Sequence, residues 1–450
     1  MSTDGPAGAA QTPEEPTAEP APDAPTKTAA AATTTPADTN PEQAGGGDSF
    51  LRNFLTNLWS ANTVTVTVLS IFLALVIGAV LIIVSDPDVM ASFGYFTARP
   101  ADALQGSWDL VSNAYADLFK GAIVDPAAVS AAIDGTGTWQ QVFAPISETL
   151  TYAAPLIFTG LSVALAFRGG LFNIGGQGQA IMGTICAAVA GFTFQLPVVL
   201  NLIVALLAGL LGGALWGFIP GILKARTGAH EVIVTIMLNY TAALFLTWLI
   251  LQDGVQDPNR SDAISKTVPP SGQLPALGGE LRVHLGVLLG VLVTAGVAWL
   301  LNRSAFGFEL RAVGANPAAA KTAGISVGKT YTLLMAVAGA LAGLGGATQV
   351  LGTAHALTPA VAGNIGFDGL LVALLGRNKP WGTLMAAFLF GALRAGGNRM
   401  QSFTGISLEL VTVLQALIVI FIAAPALVKA IFHLRAARSA RLGTSMAKGW

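Results

Sequence analysis

The sequence predicts an all-α polytopic membrane protein, and two observations carry that reading. Only 10% of the 450 residues are charged and 53% are hydrophobic, whereas soluble domains carry about 25% charged residues. The apolar residues also gather into runs near the ~20 residues that a helix needs to cross a bilayer core. These runs are 63–84, 149–167, 180–196, 197–223, 232–251, 283–301, 331–352 and 406–428, with shorter ones at 367–376 and 381–395. The net charge of −1 offers nothing to a nucleic acid. The single cysteine, Cys186, sits inside an apolar run and reads as a small buried residue. It excludes an internal disulfide and a multi-cysteine metal site.

Composition divides the chain into three parts. Residues 1–48 are rich in Ala, Pro, Thr and acids, too polar to offset ordering entropy, and are expected to form a disordered tail without signal-peptide character. Residues 49–428 form the transmembrane part, and residues 429–450 a basic tail. Lys and Arg mark cytoplasmic loops. Arg52, Lys224, Arg226, Arg303, Arg311, Lys321, Lys329 and Lys429 therefore place both termini and the 302–330 segment inside. The acid-rich 85–148 loop and the Pro-rich 252–282 loop are expected outside.

Parity permits eight or ten crossings, and ten is preferred, with 367–376 as a half-helix. Asn173-Ile174-Gly175 follows the second run and Asn364-Ile365-Gly366 the seventh. That is the placement expected of two inverted five-helix halves with broken helices.

The stretch "TAGISVGKT" ends in Gly328-Lys329-Thr330, which superficially fits a phosphate-binding loop. A working one follows a buried strand. Here Pro317 and a run of alanines precede it and an apolar span follows, so the match is accidental. Asn316 can instead cap a short helix that starts at Pro317 and ends at Gly324, with Arg311 at its rim.

Asn173, Gln177 and Gln179 lie among glycines at membrane depth. Such backbone survives there when it is buried in protein or lines a cavity. The amides can therefore meet the hydroxyls or base edges of a solute, or join helices. Glu231 stands near a helix start, where negative charge is favoured, and Asn239 lies two turns deeper, facing either pathway or protein. Asp368 caps the outer start of the half-helix or serves as a ligand, and Phe367 can stack on a base or sugar face. Arg394, inside a run, must face protein or water.

"RAVGANPAAAKTAGISVGKT", "FRGGLFNIGGQGQAIMG", "GAHEVIVTIMLNY" and "FDGLLVALLGRNKPWGTLMAAFLFGALRAGG" together resemble permease subunits of bacterial ABC importers. The likeness is to the branch that serves branched-chain amino acids, simple sugars and nucleosides, and is strongest for nucleoside or simple-sugar permeases. It spans about 149–424. The resemblance implies a plasma-membrane importer with no cofactor and no enzymatic activity of its own. A partner ATPase, a second permease of different sequence and an extracytoplasmic binding lipoprotein would complete it. It also implies a substrate pathway near Asn173, Gln177, Gln179, Asn239, Asn364, Phe367 and Asp368. The ATPase would dock on a loop carrying Arg311, Gly314, Asn316, Pro317, Ala319, Ala320 and Gly324. The rival reading is an ion-coupled secondary transporter. It would need intramembrane carboxylates, for which only Asp368 and Glu409 qualify, both near run ends.

Overall fold

The computed structural model describes residues 63–194 and 196–433. The tail expected over 1–48, Arg52 and the basic Arg435, Arg438, Arg441 and Lys448 lie outside the described residues. The described part is all-α, with no strand. Its helices are α1 (Thr63–Ser85), α2 (Pro87–Phe93), α3 (Pro100–Ala122), α4 (Pro126–Ile133), α5 (Trp139–Arg168), α6 (Gly176–Thr193), α7 (Val198–Thr227) and α8 (Glu231–Ile250). There follow α9 (Gly286–Arg303), α10 (Ala305–Ala315), α11 (Pro317–Thr322), α12 (Val327–Gln349), α13 (Ile365–Leu375), α14 (Pro380–Thr404), α15 (Leu408–Ala423) and α16 (Pro425–Ile431). Among the described residues six helices, α1, α5, α7, α8, α9 and α12, are long and apolar enough to cross a bilayer, and α15 with α16 makes a bent seventh. Nine of the ten apolar runs correspond to one helix each, and 406–428 to the bent pair α15 and α16.

Local chemistry sets the ends. Thr138 and Gln141 form a reciprocal capping box at the start of α5. α7 stops at Gly228 and α14 at Gly405, both left-handed at φ 69° and 70°.

The packing is crosswise. The first helix of one half meets the third of the other: α7 lies along α12, and α14 along α5. The short second helices follow the same rule, with α6 against α12 and α13 against α5. α8 supports α6, and α15 supports α13. The same pairing rule therefore relates α5–α8 to α12–α15, whereas the sequence reading counted its five-helix halves from α1.

Lipid supplies no hydrophobic drive between helices, so close approach has to come from small residues. A Cβ on Gly343 of α12 would overlap the Gly209 carbonyl of α7, and one on Gly183 of α6 would overlap the Gly343 backbone. Gly213 and Gly339 meet in the same way. On the other side Gly391 of α14 lies against the Thr149 carbonyl of α5. The outward face of α7 carries exposed Leu207, Leu211 and Leu215 at helical spacing, a stripe suited to lipid.

Two segments depart from the sequence reading. The 85–148 loop is folded into α2, α3 and α4, and α3 packs on α14 with Leu118 against Gly396. Its acids made it read as an external loop. In fact Arg399 of α14 pairs with Asp125 at 2.7 Å and approaches Asp117 at 3.9 Å. The 406–428 run is also broken. α16 turns 89° from α15 at Pro425, which lacks an N–H and clashes with the preceding turn.

The 252–285 connection is stapled to the end of α12. Val268 N donates to His355 O at 2.7 Å and Leu274 N to Leu351 O at 2.8 Å. Within it His284 is buried at 1% exposure. Its Nδ1 accepts from Gly286 N at 3.2 Å, so Nε2 carries the proton. Burial, with His355 and Arg282 nearby, pushes the His284 imidazole from about 6.5 down to about 4, and burial pushes His355 down as well.

Two outcomes follow. Gly343→Leu inserts a side chain where three helices touch, costing about 1–3 kcal/mol or more, and lowers the melting temperature of detergent-solubilised protein. Gly296→Leu on α9, with nothing within 4 Å, leaves it unchanged. His284 takes its proton at lower pH folded than unfolded, so its contribution is full above about pH 6.5 and is lost as pH falls toward 4. In His284→Gln, melting temperature depends less steeply on pH across that window.

Candidate functional site

After α5 the chain turns at Gly170 (φ 76°) and re-enters the bundle, where α6 starts against Val163, well short of the end of α5. α13 starts at the same place from the other half: Gly366 lies on the backbone of Gly176 and Gln177. Two helix N-termini thus meet inside protein, each with unsatisfied backbone N–H groups and a positive dipole end.

Amide side chains resolve the conflict. Gln177 Oε1 accepts from Gly366 N at 2.9 Å, and its Nε2 donates to Gly363 O at 2.7 Å. Asn239 of α8 accepts from Gly178 N at 2.8 Å and donates to Ile174 O at 3.0 Å. Asn173 and Gln179 bond reciprocally at 2.9 and 3.2 Å, and Asn173 also donates to Ser162 Oγ at 3.2 Å.

All four amides are buried, and their bonds run to protein. Of the two roles open to them from the sequence, the geometry displays the joining one. Asn364, Phe367 and Asp368 lie differently. Asn364 and Phe367 are exposed beside the junction, and Asp368 is half-buried. Arg394 of α14 is exposed and within electrostatic reach of Asp368. α13 begins where α6 begins, and its N-cap residue is Asn364 rather than Asp368. Its carboxylate sits in the first turn of α13, at the positive dipole end. Sequence reasoning missed Ser162 and the acceptor carbonyl of Gly363, neither of which carries a signal in its residue type.

A second cluster forms at one end of the bundle. Gly314 packs under the Arg168 carbonyl at the end of α5, and Gly328 lies against Ala225 of α7. Arg168 Nε donates to Asn378 O at 2.9 Å, in the α13–α14 turn, where Arg377 and Asn378 are left-handed at φ 55° and 53°. Lys224 pairs with Glu231 at 2.9 Å. Arg168, Lys224, Arg226, Lys321, Lys329, Arg377 and Lys379 accordingly collect at this end.

α11 projects from it. Asn316 Oδ1 accepts from Ala318 N and Ala319 N at 3.0 and 3.1 Å, with Pro317 in the first turn and Gly324 at φ 85° after the end. Pro317, Ala318 and Ala319 are exposed, whereas Ala320 is buried. Arg311 donates to the Leu301 carbonyl at the end of α9. Lys329 lies in the first turn of α12, preceded by α11 rather than a strand, so the geometry of a phosphate-binding loop is missing.

Residues 146–423 match the family described as "Branched-chain amino acid transport system / permease component". The guanosine ABC transporter permease protein NupP of Bacillus subtilis is 39% identical over 63% of this chain and 83% of its own length. The nucleoside ABC transporter permease protein NupB of Lactococcus lactis is 38% identical over 62% and 79%. The glucose ABC transporter permease protein TsgB13 of Haloferax volcanii is 33% identical over 62% and 75%. No solved structure matches the chain. The matched region runs from early α5 to the end of α15, so it takes in the paired helix starts and α11, and the chain belongs to this permease family.

Proposed function

We propose that this chain is the permease subunit of an ABC importer that moves nucleosides or simple sugars inward across the plasma membrane, while a partner subunit hydrolyses ATP. The observation that carries the reading is the family match over the whole crosswise bundle, with relatives named for guanosine, nucleosides and glucose. A second permease of different sequence and an extracytoplasmic binding lipoprotein complete the assembly. The basic end, with α11, faces the cytoplasm and the ATPase. Pro317, Ala318 and Ala319 offer a smooth capped surface of the kind that seats in a groove. The exposed Asn364, Phe367 and half-buried Asp368 line the solute path, which the four buried amides hold in shape. Both termini are cytoplasmic.

Reconstituted with its partners, the complex takes up radiolabelled guanosine or glucose only with ATP inside. Uptake driven by a proton or sodium gradient without ATP would instead establish a secondary transporter. Ala319→Glu places an unpaired charge in the docking surface, at a cost of several kcal/mol, and uncouples substrate-stimulated hydrolysis from uptake. Lys329→Ala leaves hydrolysis within about twofold of wild type, because an exposed basic residue contributes little.

Orientation is tested in intact cells. An impermeant thiol reagent labels Asp134→Cys, in the turn after α4, and leaves Ser326→Cys, before α12, unlabelled. The opposite pattern reverses the assigned sides.

A further inference from the structure

At the end of the molecule away from α11, a cavity of about 550 Å³ opens between the last turns of α14, the early turns of α5 and the α3–α4 turn. The volume falls in the roughly 300–1,000 Å³ range of small-molecule sites. Its charges are balanced and paired in place. Arg399 bonds Asp125 at 2.7 Å and Arg282 bonds Glu148 at 3.0 Å. Asn398 Nδ2 donates to the Tyr152 hydroxyl at 2.8 Å, leaving the Asn398 carbonyl to accept and the phenol to donate. Phe403 is 70% exposed at the rim, with the Arg399 guanidinium 4.8 Å from its ring centre.

We propose that this cavity is a vestibule that binds an uncharged, ring-shaped polyhydroxyl solute of the nucleoside or sugar class before it enters the bundle. The proposal rests on the transport reading above. An anion would have to pull an arginine from its carboxylate, and a cation would have to do the reverse. A neutral solute can bond to the outer edges of both pairs while they stay closed. The ring and guanidinium plane supply a flat face for a base or for the C–H side of a sugar. The Tyr152–Asn398 pair offers one donor and one acceptor side by side, the combination that a vicinal diol or an amide edge meets. The site also straddles α5 and α14, the crossing at which the two halves touch, so its occupant contacts both.

The test uses the full chain in its complex, in nanodiscs. It measures direct binding and uptake of tritiated guanosine, uridine, ribose and glucose, with guanosine monophosphate as competitor. For whichever solute is taken up, Tyr152→Phe and Phe403→Ala weaken binding and raise the KM for uptake by about tenfold. The monophosphate competes on the order of a hundredfold more weakly than guanosine. Phe403 is exposed and Tyr152→Phe is conservative, so loss of folding does not obscure the result, and thermal melting verifies this. Wild-type binding and KM in both variants, or equal competition by the monophosphate, while the wild type transports a nucleoside or sugar, would overturn the vestibule and leave the transport reading standing. A wild-type complex with no ATP-dependent uptake of any nucleoside or sugar would overturn both.

Discussion

Two helices begin against each other within the bundle, and each beginning leaves backbone N–H groups that need partners. The structure is organised around that problem. One side chain, Gln177, closes much of it by accepting from one half of the molecule and donating to it at once. Asn239 does the same for α6 from α8. Because these bonds are short and lie in a low-dielectric setting, they fix the two starts against each other more firmly than exposed bonds would.

The glycines make that meeting sterically attainable. Gly183, Gly209, Gly213, Gly339 and Gly343 bring three backbones together, and dispersion between closely packed atoms then supplies the cohesion that lipid exclusion does not. Packing of this kind tolerates little added volume, which suits a protein that must hold a path open in one shape and then another. Charge handles the periphery. Arg399 ties α14 to the α3–α4 region, and Lys224 ties α7 to α8.

Much of the fold was legible because apolar length is a direct consequence of bilayer thickness. All ten runs became helices, and the repeated Asn-Ile-Gly marked both breaks. The capping of α11 was legible for a similar reason: Asn316 and Pro317 are local signals with local effects. The folding of 85–148 was hidden. The buried face of α3 is mostly small, with Ala103, Ser107, Ala114, Gly121 and Ala122 beside Leu118, and Arg399, which pairs with Asp125 just after it, lies far along the chain. The role of the amides was only half legible. Their residue type says that they must bond, but not whether to solute or to protein, because the partners of Gln177, the Gly363 carbonyl and the Gly366 N–H, are backbone groups. The partner of Arg311 was hidden for the same reason, since it is the backbone carbonyl of Leu301.

The bond from Gly366 to Gln177 joins residues 189 positions apart, and this distance orders events during synthesis. When α6 enters the membrane, both partners of its Gln177 side chain, Gly363 and Gly366, do not yet exist as chain. The ribosome must still add four further apolar helices, α7, α8, α9 and α12, before α13 arrives. Until then the Gln177 amide lacks the partners it has in the finished fold, while Asn239 of α8 already serves the backbone of the α6 start. The second half arrives under opposite conditions, threading α13 onto a start already in place. The two halves resemble each other in finished form, but the first waits exposed and the second closes it.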